Sequence, residues 1–147
     1  MSEIAEDAIL KRLLSGQNLG VLATMGEEYP YTSLVGFAAT EDLKNLVFAT
    51  LKPTRKYANI RNHPKISILV NSGRNSAEDF RDAASVTVLG RASDAEGDER
   101  DALQRIFLSK FPFLEDFVRD PACVLVKVDV EKFIVVTRFQ DVRELEP

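Results

Sequence analysis

The chain contains no tryptophan, one cysteine and one histidine. A lone Cys123 cannot close an intramolecular disulfide. It lies in the apolar alternation Ala122-Cys123-Val124-Leu125-Val126, so it reads as a buried, inert thiol in a reducing compartment and not as a nucleophile. His63 stands before Pro64 with no second Cys or His beside it, which argues against a zinc-type metal site and makes it a helix-boundary residue. No G-x-S-x-G, Walker A or dinucleotide glycine motif occurs, and no nucleophile or carboxylate pair stands out. Any catalysis would then draw its reactive atoms from a bound cofactor. Cations are in the minority, 19 Lys and Arg against 23 Asp and Glu, for a net charge of -4 and a pI near 5.1. That balance gives no general attraction to nucleic acid or to an anionic membrane. No stretch reaches transmembrane length, and the start MSEIAEDAILKRLLSG lacks the basic opening and unbroken apolar core of a secretory signal. A cytoplasmic location is expected.

What is present is ordinary for a globular protein: 45% hydrophobic and 29% charged residues in a chain of 147. One domain spanning residues 1–147 would bury about two thirds of its unfolded surface. Ile4, Ala5, Ala8, Ile9 and Leu13 follow an i, i+4, i+5 stripe with Ser2 as a cap, predicting an amphipathic helix that ends near Ser15-Gly16. Leu19 to Ala23 predicts a strand, and Met25-Gly26-Glu27-Glu28 a turn. A second strand then starts at Tyr29 or Tyr31, because Pro30 is tolerated near a strand end. Gly36 inside that strand marks a bulge, a barrel bend or a close approach of a ligand plane to the backbone. Thr40 to Asn45 turns the chain into Leu46–Thr50 as an antiparallel hairpin. Asn71 to Asp82 reads as a long polar loop and Ser85 to Ala92 as the next strand. Ser93-Asp94-Ala95-Glu96 has capping-box spacing before a helix over Asp98 to Ser109. Phe111, Phe113, Leu114 and Phe117 form an aromatic cluster suited to a core plug or a partner interface. Val124 to Val130 alternates as a strand, and Glu131-Lys132 is read as the turn of a hairpin into Phe133–Thr137. The count is about seven short strands with three or four helices, a mostly β, α+β pattern in which barrel closure would remove exposed edges.

The most informative stretch is Leu46 to Val70, LVFATLKPTRKYANIRNHPKISILV. It predicts a strand, a tight link, a helix of about two turns capped by Thr54 and stopped at Asn62-His63-Pro64, and another strand. The helix N-terminus offers free N–H groups and a partial positive charge, with Thr54, Arg55 and Lys56 beside it. That combination suits a phosphate. The alternative, which the spacing alone favours, is a capped surface helix whose basic residues solvate its first turn, although cations oppose the helix dipole at that end.

That segment, Thr50 followed by Thr54-Arg55-Lys56, Asn59-Ile60, His63-Pro64 and the apolar strand, resembles the signature of the FMN-binding split-barrel proteins related to pyridoxamine 5′-phosphate oxidase. The resemblance implies an antiparallel split β-barrel of six to seven strands with a few flanking helices. It further implies that Thr54, Arg55 and Lys56 hold the FMN phosphate, that Thr50 faces the ribityl chain, that Ser33, Leu34, Val35 and Gly36 lie along the isoalloxazine, and that Ser85 contacts the flavin. Barrels of this family pair as homodimers that share each site, which makes Arg138 and Phe139 candidates for a cross-subunit contribution. The implied activity is an FMN-dependent oxidoreductase, reductase or oxidase, on an unidentified small molecule. The alternatives are a non-enzymatic flavin or haem carrier or redox sensor, and a deazaflavin-dependent reductase. A pyridoxamine phosphate oxidase in the strict sense is not implied. Ser33 and Ala38 stand about where those enzymes carry an Arg and a Lys, and the chain lacks their substrate-holding C-terminal segment.

Overall fold

The computed structural model describes the backbone of residues 3–147 and the side chains from residue 6 onward; the Ser2 cap and the side chains of Ile4 and Ala5 lie outside it. Seven strands form one antiparallel sheet: β1 (Leu19–Met25), β2 (Pro30–Ala39), β3 (Asn45–Leu51), β4 (Lys65–Asn71), β5 (Ala84–Asp94), β6 (Cys123–Thr137) and β7 (Asp141–Leu145). They are ordered β3-β2-β1-β4-β5-β6-β7, and a further pairing of β3 with β6 closes the first six into a barrel, with β7 outside the ring. Five α-helices flank it: α1 (Glu3–Gly16), α2 (Arg55–Asn62), α3 (Asp79–Asp82), α4 (Gly97–Lys110) and α5 (Glu115–Arg119). The expected mostly β split barrel is thus present. No helix among the described residues is long and apolar enough to cross a membrane.

Alternation fills the barrel. Leu22, Phe37, Phe48, Ile68, Val88, Val126 and Phe133 point inward and are fully buried, and α1 packs against that cluster through Leu10, Leu13 and Leu14. A second core lies outside the barrel wall, where Leu103, Phe107, Phe111 and Val118 cover Ala38, Val47 and Leu125. Burial on this scale contributes about 1.5–3 kcal/mol for each large apolar side chain.

Four expectations are corrected. Glu131-Lys132 is not a turn, because β6 runs unbroken through it for 15 residues. Leu89 pairs with Lys132 but Gly90 with Val130, so Glu131 is the extra residue of a β-bulge. The bulge moves the inward face from the even positions ending at Val130 to the odd positions Phe133 and Val135, a parity change that the sequence alone presents as a hairpin. The true hairpin follows, with β6 joined to β7 through Arg138 and Phe139, both in the left-handed region at φ 50° and 69°.

Ser93-Asp94-Ala95-Glu96 is not a capping box. β5 continues to Asp94, whose partner is Val126, and Glu96 takes the N-cap of α4 without a side-chain hydrogen bond. On α1 the buried stripe is Glu6, Leu10, Leu13 and Leu14, while Ala8 is exposed. The stripe is turned because the Glu6 carboxylate meets Arg143 of β7 at 3.3 Å, which lets it be buried. The polar segment after β4 is also more ordered than a plain loop. It contains α3, and the Asp79 carboxylate accepts hydrogen bonds from the N–H groups of Arg74 and Ser76, which hold its pKa below the usual carboxylate value.

Candidate functional site

Two seams of the barrel are short, β1–β4 and β2–β3, with three residue pairs each. β2 pairs with β1 through residues 30–36 and with β3 only at Phe37↔Phe48, Ala38↔Val47 and Ala39↔Leu46. Continuing that register would set Gly36 against Ala49, Val35 against Thr50 and Leu34 against Leu51. Those residues instead line the two sides of a groove of about 340 Å³. Along the groove β3 is paired only with β6 and β2 only with β1, so each strand turns an unpaired backbone edge toward the gap, with N–H and C=O groups available to a ligand. Gly36 is the residue at which β2 changes partner. A Cβ there would find Phe111 Cζ at 3.6 Å and the Asn18 carbonyl at 3.8 Å, ordinary contacts, so the fold leaves room for a side chain that the sequence omits.

Phe107, Leu114 and Phe117, from α4 and the segment after it, form an apolar wall, and Leu34 lies 67% exposed beside them. The opposite end is polar. Thr54 caps α2, accepting from the Tyr57 N–H at 3.4 Å and donating to the Leu51 carbonyl at 2.8 Å. The buried Thr50 hydroxyl lies 3.1 Å from that of Thr54. Capping leaves the first N–H groups of α2, at Arg55 and Lys56, without intrahelical partners. Lys56 enters the groove, whereas Arg55 turns to the other side of Thr54 and lies 5.6 Å over the Tyr31 ring.

The helix is firmly seated. Buried Tyr57 donates to Asp94 at 2.7 Å, and Asn59 Nδ2 donates to Thr24 Oγ1 at 3.0 Å. Burial and the Asp94 carboxylate together push the Tyr57 phenol above its usual pKa. His63 is the C-cap, its N–H donating to the Asn59 carbonyl at 2.8 Å. Burial likewise pushes the Cys123 thiol up, away from the reactive thiolate.

Of the residues singled out from the sequence, Leu34, Val35, Gly36, Thr50, Thr54 and Lys56 meet in this groove. Ser33 does not line it; its hydroxyl is buried beside Leu34 without a protein partner. Ser85, paired with Asn71 and Val136, and Arg138 and Phe139 in the β6–β7 hairpin lie away from the groove of their own chain. Phe139 stacks edge-on against Phe80 at 5.2 Å. The aromatic cluster divides: Phe111 is core, Phe117 lines the groove and Phe113 is 78% exposed.

Sequence reasoning missed Lys110. Its ammonium donates to the carbonyls of Leu14, Gln17 and Phe37 at 3.3, 2.7 and 2.9 Å, and lies 4.2 Å over the Phe37 ring. It ties α4, the end of α1 and the β2 corner together without a carboxylate partner, and burial pushes its pKa down to about 8. The available signal was a cation in the last turn of a helix, which elsewhere means only a favourable dipole contact.

A six-stranded barrel with one further strand and a groove in its open seam defines the class of antiparallel split β-barrels. Within that class, the pyridoxamine 5′-phosphate oxidase model matches residues 7–137, and the chain belongs to that family. Among solved structures it is similar to a haem-binding protein from Mycobacterium smegmatis, with a TM-score of 0.84 and 21% identity over 99% of this chain and 59% of that one. It also resembles General Stress Protein 26 from Bacillus anthracis, with a TM-score of 0.68 and 22% identity over 97% and 98% of the two chains. An FAD-binding protein from Mesorhizobium loti matches with a TM-score of 0.69 and 22% identity over 88% and 90%. No curated protein matches the sequence.

Proposed function

We propose that this is a flavoprotein of the oxidoreductase class that holds FMN in the open seam of its barrel. The observation that carries the reading is the groove's polarity. One end has the Lys56 ammonium and free N–H groups at the capped start of α2, the other has Phe107, Leu114 and Phe117, and two unpaired strand edges run between. A phosphate matches the first, a planar ring the second, and the edges offer hydrogen bonds to the ring's rim. Bound flavin would supply reversible electron and hydride transfer, while this chain's residues bind, orient and exclude water. The pyridoxamine 5′-phosphate oxidase family and the FAD-binding neighbour support a flavin. The haem-binding neighbour raises a haem carrier as the rival, but the groove offers no His, Met, Cys or Tyr side chain as an axial ligand.

The test is titration with FMN followed by absorption and fluorescence. Wild type should bind, and Lys56→Ala should bind roughly 10- to 100-fold more weakly, since a charge-assisted hydrogen bond contributes about 1.5–3 kcal/mol. Riboflavin, without the phosphate, should respond little to the substitution. A Soret band on adding haem, with no flavin binding, would overturn the reading. Reduction of the bound flavin by a nicotinamide cofactor, or its reoxidation by dioxygen, would favour an enzyme over a carrier.

The reading includes a homodimer. Its apolar motive is narrower than the sequence suggests, because Phe111 and Phe133 are internal, but Leu34, Phe113 and Phe117 remain exposed on the groove side. A second subunit covering that side would bring its own Ser85, Arg138 and Phe139 within reach of the flavin. Sedimentation equilibrium should give twice the 16.4 kDa chain mass; a monomer that binds FMN at full stoichiometry would rule out the shared site.

A further inference from the structure

A second pocket, of about 460 Å³, lies where the C-terminal ends of α1 and α4 meet the turn between β2 and β3, and it shares no lining residue with the groove. Leu14, Ala38, Ala39, Leu43 and Ile106 make its walls apolar, and Lys11 and Lys110 stand among them. Neither lysine makes an ion pair with a carboxylate among the described residues. We propose that this pocket binds a medium-chain monocarboxylate, at a site separate from the flavin groove and independent of the flavin reading.

Charge sets the sign of the ligand. The Lys110 ammonium is half-buried and spends its three N–H bonds on the carbonyls of Leu14, Gln17 and Phe37, so it offers a ligand its charge but no further donor. An anion beside it would offset the burial that pushes its pKa down to about 8. Lys11 and Ser109 are exposed on the same pocket, with an ammonium and a hydroxyl to donate to a carboxylate. Glu41 is the opposing group, and against two ammoniums it leaves one positive charge in excess. The apolar wall is held against a backbone preference. Leu43 sits at φ 61°, a left-handed conformation that leucine rarely adopts. The turn imposes it: the Leu43 N–H donates to the Thr40 carbonyl at 2.9 Å, while the Asp42 carboxylate accepts from the Thr40 hydroxyl at 2.7 Å and the Lys44 N–H at 3.0 Å. Glycine or asparagine would fit that backbone more easily, yet the sequence keeps a branched apolar group there, packed against the core and lining the pocket. A small inorganic anion would leave the apolar walls uncovered, and an amine would meet two ammoniums. A single acidic head on a hydrocarbon chain satisfies both halves.

The experiment is calorimetric titration of the full chain with octanoate, using octan-1-ol and octylamine as probes of equal chain length. Octanoate should bind once per chain with a Kd below about 1 mM and roughly tenfold or more tighter than octanol, and octylamine should not compete. Hexanoate should bind several-fold more weakly, since each buried methylene is worth roughly fourfold in affinity. Lys11→Met should bring octanoate down towards octanol while leaving octanol binding and Tm unchanged. Leu43→Asn, at ease in the left-handed conformation, should weaken octanoate and octanol alike with little change in Tm. Saturating FMN should leave octanoate binding as it was. No saturable binding of octanoate, octylamine binding as well as octanoate, or either variant binding octanoate like wild type would overturn the site. Displacement of octanoate by FMN would put the chain in the groove and overturn it as well.

Discussion

The barrel has two contrasting seams. Where β5 meets β6, eleven residue pairs run from Ala84↔Thr137 to Asp94↔Val126, interrupted only by the bulge at Glu131. Where β2 meets β3, three pairs form and the strands then part. The first seam is paired along its whole length, and the pocket that touches it is confined to the bulge, where Leu89, Gly90 and Glu131 contribute to its lining. The second leaves two edges without partners, and into that gap fall most of the residues with chemistry to offer. The stability of the long seam lets the short one stay open, since a strand edge is tolerated where the rest of the sheet holds its position. On the proposed reading, the flavin would occupy a missing part of the hydrogen-bonded ladder and take the place of strand pairing.

The contrast is broken most severely at Gly90. A Cβ there would sit 2.5 Å from the Asp129 carbonyl and 2.8 Å from Val128 Cγ1, inside the closed seam opposite the bulge. Gly90→Val is expected to cost at least about 3 kcal/mol, visible as a fall in Tm of roughly 6–12 °C. A variant as stable as wild type would mean that the bulge can absorb the side chain.

A smaller effect is expected at Lys110, which holds the corner where the open seam begins. Lys110→Met leaves three carbonyls without their donor and should cost about 2 kcal/mol in denaturant unfolding. The pH dependence has a definite sign. The folded pKa of about 8 lies below the ordinary 10.5, so between those values the unfolded chain keeps a proton that the folded chain has released. Wild-type stability should therefore rise with pH across that window relative to Lys110→Met, and the difference should be flat below pH 8. A falling difference would show that the three carbonyls hold the ammonium charged.

The smallest stability effect, and the sharpest test of the comparison, is at Gly36. Its absent Cβ would make only ordinary contacts, so Gly36→Ala should leave stability within about 0.5 kcal/mol. The new methyl would lie against Phe111 and the Asn18 carbonyl at the strand position that borders the groove, and FMN affinity should fall several-fold. Equal losses of folding and binding would make Gly36 a structural residue of the corner.

Much of this molecule is legible in the order of its residues. Thr54 marks the start of α2 because a hydroxyl before a helical run caps it, and His63-Pro64 marks its end because proline rejects a helical predecessor. The strands up to β5 follow from period-two alternation and from turn residues placed between them, all local properties of the chain. Thr54, Arg55 and Lys56 were recognisable as a candidate anion site for the same reason: a helix terminus and its flanking charges are adjacent in sequence.

The remainder depends on contacts between distant residues. Glu131 imitates a turn, since a bulge and a hairpin both reverse the parity of burial, and only the partner strand at Leu89 and Gly90 distinguishes them. The gap between β2 and β3 has no local signature, because both strands look complete until their registers are compared. The separation of Lys56 from Arg55 onto two sides of Thr54, the apolar wall built from Phe107 and Phe117, and the hold of Lys110 on three carbonyls all require elements far apart in the chain to pack together. Local chemistry determined which elements form and where an anion can be held. Tertiary closure decided where the barrel stays open, and so the shape of the groove that leads to that candidate site.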